Sequence, residues 1–407
     1  MTVHLFTIII LKTMTKNRTI LILTLLLAAT SGQAQNYAAV LRDIEANNTG
    51  LKALRAQTDA AQAACRTGIL PDNPEVEFGY LWGSPQSEGH RIDLNVTQNL
   101  DFPAAYVYRS KLADAEAREA ELRYATERKN LLAEVRQRCI RLIYCNILQK
   151  ENEYHVATAQ AIQEAYRQMF DKGEQSILDL NKARLELLSA RKELENNRVE
   201  QETLLGELEQ MNGGQPVVLP DTVYPIAPLT EPFDDWFRRI EPLNPSLQQL
   251  QARQDANRRR IQLNKSLWAP GLSVGYKSER TPGAVLQGIG VGISLPLWSN
   301  SRSIKSAMAE KTALQSEAFD LRTQYYSSLK SKYREMERLK GLLDEYRATL
   351  SSLNTDALLL KALEQGEISL IDYILERRIY REALHEAYDT EYALQKALIE
   401  LTVYAEE

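Results

Sequence analysis

The sequence predicts a mainly α-helical chain with a small β part, built twice from one unit: a helix, a β-hairpin and a long helical hairpin. Three observations predict it. The stretch Gly173-Glu174-Gln175-Ser176-Ile177-Leu178-Asp179 returns as Gly366-Glu367-Ile368-Ser369-Leu370-Ile371-Asp372, and both copies of this G-E-x-S-aliphatic-aliphatic-D motif interrupt a long helical pattern. A repeat at that distance makes the chain two copies of one large unit. Residues 104–170 contain neither Pro nor Gly, which gives one helix of about 65 residues, on the order of 100 Å long. No globular core buries such a length, so coiled-coil packing is its natural solution. Ahead of each long helix lie two short stretches of strict apolar/polar alternation, the period of a strand.

Composition bounds the rest. With 25% charged and 44% hydrophobic residues and only 14 Pro, the chain has the balance of a folded protein. Its formal net charge is −5, although residues 1–34 hold Lys12, Lys16 and Arg18 and no acid. An acidic chain offers no footing for nucleic acid. The one basic run, Arg258-Arg259-Arg260, reads as a solvated or subunit-contacting helix face. Cys65, Cys139 and Cys145 lack ligand spacing and read as small buried residues. The four His, at positions 4, 90, 155 and 385, form no legible metal or catalytic constellation. No nucleophile, phosphate-loop or dinucleotide signature appears, so neither an enzyme nor a cofactor is expected.

Taken in order, residues 1–34 read as a signal peptide. Lys16-Asn17-Arg18 precede the apolar run 20–29, and Gly32-Gln33-Ala34 offers small residues for cleavage before Gln35. Met14 is an alternative start. The apolar run is too short to span a membrane as a helix, and no cysteine follows it to take a lipid. No later stretch approaches eighteen apolar residues, so any membrane crossing must use strands.

Residues 35–212 form the first repeat. A helix over 36–68, with a local stop at Asn47-Asn48, ends at Leu70-Pro71-Asp72-Asn73-Pro74. Then comes a strand over about 75–83, with Val76, Phe78, Tyr80 and Trp82 on one side and Glu75, Glu77 and Gly79 on the other. A second strand over 91–100 sets Ile92, Leu94 and Val96 against Arg91, Asp93, Asn95 and Thr97. Strands of roughly nine to eleven residues with this alternation have the length of membrane β-strands, charged side to a watery lumen and apolar side to lipid. The long helix 104–170 follows. After the Gly173 break a helix returns over 176–212, its seam of Leu180, Ala183, Leu187, Ala190 and Leu194 alternating large and small at heptad spacing.

A Gly/Pro-rich linker, 213–231, leads to the second repeat, 232–407. It offers a helix over 245–268, strands over 271–278 and 287–297 around a turn containing Thr281-Pro282-Gly283, a long helix over 303–363, and a return over 369–405. Tyr380, Leu384, Ala387, Leu394, Leu398 and Leu401 lie near heptad spacing in that return.

Four amphipathic strands cannot close a barrel, and open strand edges are not tolerated in lipid. An exported chain carrying four must pool them. Three copies supply twelve, an acceptable even number, and their long helices would continue the same axis as a tube. The expectation is a homotrimeric conduit: a 12-stranded outer-membrane β-barrel continued by an α-helical coiled-coil tunnel.

On these residues the chain resembles the TolC-type outer-membrane efflux protein family. The resemblance covers about residues 36–405: the duplicated helix–hairpin–long-helix order, the Asn244-Pro245-Ser246 opening, and the two motif turns. It implies a trimeric channel in the outer membrane of a Gram-negative bacterium, with its tunnel in the periplasm, serving a periplasmic adaptor and an inner-membrane pump. It also implies turns at the periplasmic tip, at Gly173 with Ser176 and Gly366 with Ser369, and a cation-selecting constriction at Asp179 and Asp372. Asn73-Pro74-Glu75-Val76-Glu77 and Gln98-Asn99-Leu100 are similar to the heavy-metal branch, although Asp101-Phe102-Pro103-Ala104 stands where that branch often has Gly-Lys-Arg.

Each assignment has a structural alternative. Asp179 and Asp372 also complete capping boxes with Ser176 and Ser369, and a cap carboxylate at a pore still contributes its charge. Tyr80, Trp82 and Trp298 fit a membrane aromatic girdle or ordinary packing. For the whole chain, the alternative is a periplasmic coiled-coil adaptor or scaffold. Such a protein should show a continuous run of soluble-barrel strands rather than lone hairpins between helices. The cargo, whether drug, metal ion or polypeptide, is not encoded in any stretch.

Overall fold

The computed structural model describes residues 33–403 apart from 84–88, 227, 298–300 and 354. The leader expected over 1–34 lies outside the described residues except for its last two positions, and Trp298 lies outside them too. The elements, in chain order, are α1 (Gln33–Asn47), α2 (Thr49–Cys65), β1 (Glu75–Trp82), β2 (His90–Leu100), α3 (Pro103–Asp171), α4 (Ile177–Met211), α5 (Phe233–Ile240), α6 (Pro245–Ser266), β3 (Gly271–Thr281), β4 (Ala284–Ser294), α7 (Ser301–Ser352), α8 (Thr355–Glu364) and α9 (Leu370–Thr402). By its contacts the chain divides into two units, each drawing on both repeats. One comprises the chain up to Lys52, Lys129–Phe233 and the chain from Leu329; the other comprises Ala53–Arg128 and Asp234–Ser328.

The first unit is helical. Val135, Cys139, Leu142 and Ile143 of α3 recur at helical spacing and bury against Leu204 and Leu208 of α4 and Tyr37, Val40 and Ile44 of α1. Each such side chain is worth roughly 1.5–3 kcal/mol when fully buried. The predicted α4 seam is buried throughout, from Leu180 through Ala183, Leu187, Ala190 and Leu194 to Asn197. Asn197 is the polar member, and its amide donates to the Cys145 carbonyl (2.9 Å) and to Gln149 Oε1 (3.2 Å). A single amide at a seam position fixes helix register, because any slip would strand its donors in the core. Burial pushes the Cys139 and Cys145 thiols up to about 12. Both should therefore stay unreactive toward a water-soluble disulfide reagent in the native protein, while the half-buried Cys65 reacts first; equal labelling of all three would contradict this packing.

The second unit carries the sheet. Its order is β1-β2-β3-β4, antiparallel throughout, so the two hairpins join through β2 and β3. The register sets Val76, Val96, Tyr276 and Ile289 in one cross-strand row and Glu77, Asn95, Lys277 and Gly288 in the next. One face is thus apolar and exposed: Phe78, Val291 and Ile289 are 67%, 73% and 82% accessible. The other face holds Arg91 paired with Asp93 and Glu279, and Asn95 donating to Glu77. Below the sheet, α6 starts on an Asn244 cap whose side chain accepts from the Ser246 (2.8 Å) and Leu247 (3.4 Å) amides, with Pro245 opening the helix.

The structure corrects several expectations. The second hairpin was expected as strands over 271–278 and 287–297, but its strands meet at the two-residue turn Pro282-Gly283. Gly283, at φ 139°, makes so short a connection possible. The strand ends at Ser294 because Pro296 has no N–H for the ladder. The long helix expected over 303–363 breaks into α7 and α8. Ser351 and Ser352 turn their hydroxyls onto the Ala348 and Thr349 carbonyls (3.0 and 2.7 Å), and the Leu353 amide tightens onto Leu350. Hydroxyls that bond their own backbone compete with the helix ladder in this way. The local stop expected at Asn47-Asn48 falls at Asn48, whose side chain accepts from the Leu51 amide (2.8 Å) and donates to the Met211 carbonyl (2.8 Å).

Helix α5 was not anticipated. Its acids Asp234 and Asp235 open it and Arg238 and Arg239 close it, matching the helix dipole, while Trp236, Phe237 and Ile240 are buried. In the α9 seam, Tyr373 and Arg377 are buried where Tyr380 and Leu384 were expected to lead. The Arg258–Arg260 run is only partly a solvated face. Arg258 pairs locally with Asp255, but Arg260 reaches Glu116 (2.8 Å) and Glu310 (3.3 Å), tying α6 to α3 and α7.

Candidate functional site

The two motif turns lie in the helical unit, and local chemistry builds each of them the same way. At the end of α3, Gly173 takes φ 78°; its amide bonds the Phe170 carbonyl and the Glu174 amide reaches back to Met169. At the end of α8, Gly366 takes φ 72°, with matching bonds from Gly366 to Leu363 and from Glu367 to Ala362. Both are Schellman ends, in which a left-handed residue satisfies the last carbonyls, and glycine adopts that conformation without strain. Three residues on, Ser176 and Ser369 cap the returning helices, accepting from the Asp179 (3.2 Å) and Asp372 (3.3 Å) amides. The spacing of Gly, Ser and Asp is therefore the spacing of a helix stop followed by a helix start.

The carboxylates differ. Asp372 completes a reciprocal capping box: the Ser369 amide donates to it at 3.3 Å and the Ser369 hydroxyl at 2.6 Å. Asp179 takes the Ser176 hydroxyl at 2.6 Å and, on its other oxygen, the Lys182 ammonium at 3.0 Å. These two donors hold Asp179 below the usual carboxylate range. The position matching Lys182 in the second repeat is Leu375, so no cation occupies that place on α9. Lys182 is the residue the sequence reading missed; its signal was a basic residue three positions after only one of the two aspartates.

Tertiary packing brings the turns together. Leu180 and Ala183 of the first return cluster with Leu370 and Tyr373 of the second, alongside Tyr166. Around them lies a groove of about 1070 Å³ lined by Asp179, Lys182, Gly366, Ser369, Tyr166 and Met169, among others. Removing one cap should register locally. Ser369→Ala is expected to cost about 1 kcal/mol and to speed exchange of the first α9 amides by roughly fivefold; unchanged exchange would contradict the capping geometry.

The girdle residues lie elsewhere, on the sheet. Tyr80 and Trp82 are exposed on the apolar face with ring centroids 6.4 Å apart, and His90, opposite Trp82, stacks on Tyr80 at 5.7 Å. Among the described residues no helix is long and apolar enough to cross a membrane, and no His, Cys, Asp and Glu side chains gather into a metal-holding set.

Helical hairpins attached to a one-faced, open-edged sheet define the class of outer-membrane channel folds, and comparison with known proteins agrees. Residues 40–214 match the family described as outer membrane efflux protein. No curated protein matches the chain. Among solved structures it is similar to CusC, described in work on conformational changes accompanying folding and transmembrane channel formation (15% identity, 90% of this chain and 91% of that one, TM-score 0.75). It is also similar to the Campylobacter jejuni CmeC outer membrane channel (16% identity, 91% and 85%, TM-score 0.71) and to the outer membrane protein VceC of Vibrio cholerae (14% identity, 90% and 94%, TM-score 0.69). The chain is thus similar to outer-membrane efflux proteins, by a family match over residues 40–214 and by fold over nine-tenths of its length.

Proposed function

We propose that the chain assembles as a homotrimer whose twelve strands close a β-barrel in the outer membrane of a Gram-negative bacterium, continued by an α-helical tunnel in the periplasm. In this reading it is the passive exit duct of a tripartite efflux system. A periplasmic adaptor and an inner-membrane pump deliver substrates, drugs or metal ions, and the chain itself catalyses nothing, holds no cofactor and binds no nucleic acid. The observation that carries the reading is the sheet. One face is largely apolar and exposed while the other is largely polar, and among the described residues both edges, β1 and β4, lack a partner strand. Water penalises the first feature and lipid the second; closing the sheet with other copies inside a bilayer removes both penalties.

Asp179 and Asp372 would narrow the periplasmic end of the tunnel and favour cations, the turns at Gly173, Ser176, Gly366 and Ser369 would form its tip, and Tyr80 and Trp82 would anchor the barrel at the membrane interface. The test is to separate outer from inner membrane and weigh the detergent-extracted protein by light scattering with the detergent subtracted. A species of about three chain masses in the outer membrane is expected. A soluble periplasmic species would remove the barrel and favour an adaptor or scaffold.

A further inference from the structure

A second constellation lies in the helical unit away from the tip turns, where α3, α4 and α9 meet. From α3 come Glu151, Asn152 and His155, from α4 Glu186 and Glu193, and from α9 Arg377, Arg381 and His385. The His155 side chain is 3% exposed; its Nε2 lies 3.0 Å from Glu186 and its Nδ1 3.7 Å from Glu193. Arg381, with a side chain 13% exposed, donates to Glu193 at 2.9 Å and Asn152 at 3.5 Å, and lies 3.7 Å from Glu151 and 3.4 Å from His155. Arg377 is buried one turn away, its guanidinium over the Tyr154 and Tyr373 rings.

Ionised groups are costly to bury unless their charges cancel. Here Glu151, Glu186 and Glu193, with Asp389 beside His385, outnumber the two guanidinium groups, and a charged imidazole reduces the excess. Geometry says which. His155 Nε2 bonds the Glu186 carboxylate and also meets the Arg381 guanidinium, while Nδ1 has Glu193 at ion-pair distance but no hydrogen bond; two carboxylates facing one ring favour the imidazolium. The buried Nε2 of His385, like His155 Nδ1, finds no hydrogen-bond partner; with Arg381 as its nearer charged neighbour, burial favours the neutral ring.

We propose that this cluster is a proton-operated latch, docking α9 of the second repeat onto the α3–α4 pair of the first while His155 is charged and His385 is neutral, and releasing it when either condition fails. As a control on opening of the tunnel, the latch rests on the channel reading above. Burial alone would push the His155 ring down, but its bonds to Glu186 and Glu193 outweigh burial and the repulsion of Arg381 and Arg377, and hold its pKa above the ordinary imidazole value. The Glu193 carboxyl, with the His155 ring facing it and Arg381 donating to it, falls to about 2. Burial, then Arg381, hold His385 below its ordinary value, against the weaker pull of Glu151, Glu193 and Asp389.

The signs follow by linkage. His155 contributes docking stability that is complete below the ordinary imidazole pKa and is lost as pH rises through its own raised value. His385 contributes stability that is present above the ordinary value and is lost as pH falls through its own lowered value. Docking is therefore tightest in a window around pH 6.5 and loosens on both sides. Glu193 is ionised throughout that window.

The experiment is hydrogen exchange on the full-length protein in detergent from pH 5 to 9, corrected for intrinsic exchange, with α6 as internal reference. Protection over residues 377–389 should fall on the order of tenfold on the alkaline side in the wild type. His155→Lys, whose ammonium titrates well above an imidazole, should carry protection further to the alkaline side than the wild type, and His385→Gln should lose only the fall on the acid side. Wild-type protection that is flat across the range, or a His155→Lys profile like the wild type's, overturns the proposal, and neither outcome depends on a variant that fails to fold. Conductance tests the channel separately: a protein with the exchange profile and no conductance loses the channel reading and keeps the latch.

Discussion

Replacing Ile289 with Arg is expected to stop assembly in the outer membrane. Ile289 is the most exposed large apolar residue of the sheet, at 82%, and sits midway along β4 in the row Val76, Val96, Tyr276 and Ile289. An arginine on the lipid face at mid-bilayer costs roughly 2–4 kcal/mol, and a trimer meets that cost three times, roughly 6–12 kcal/mol per assembly. The control lies one residue along the same strands. Lys277 faces the other side, so Lys277→Gln should leave insertion unchanged. The readout is the fraction of protein in outer-membrane vesicles that resists extraction at high pH. Normal insertion of Ile289→Arg would mean that this face meets no lipid.

Asp372→Asn should weaken cation preference in single-channel recordings far more than Asp179→Asn. The difference comes from Lys182, which already offsets the Asp179 carboxylate at 3.0 Å, whereas Asp372 is bound by its own serine cap. A carboxylate about 4 Å from a passing ion is worth about 1 kcal/mol in water; removing one from each of three chains shifts the preference by on the order of tenfold or more. Lys182→Gln should move selectivity the other way by freeing the Asp179 charge. The Asn variants keep an acceptor for the cap, so a change in selectivity without loss of trimer assigns the effect to charge. Equal effects at both aspartates would remove the proposed role of Lys182.

Much of the fold was legible because it is written in short-range terms. Gly173 and Gly366 mark helix stops, Ser176 and Ser369 mark starts, and Leu180 through Leu194 run at heptad spacing; each depends on neighbours within a turn or two. Errors arose where a weak local preference decided the outcome. The serines at 351 and 352 broke a helix that lacked Gly or Pro at that point, and the eight residues of α5 were too short for periodicity to register.

The sequence by itself determined the element types, their order, the duplication and the chemistry of both turns, because backbone conformation follows residues close along the chain. Only the tertiary structure decided that β2 pairs with β3 to join the two hairpins in one sheet. The same holds for the packing of the two turns side by side and for the meeting of His155 with Glu186, Glu193 and Arg381 in one buried cluster. His155 and Arg381 stand 226 residues apart. The cost of burying unbalanced charge selects such a partnership when helices dock, and no local pattern records it.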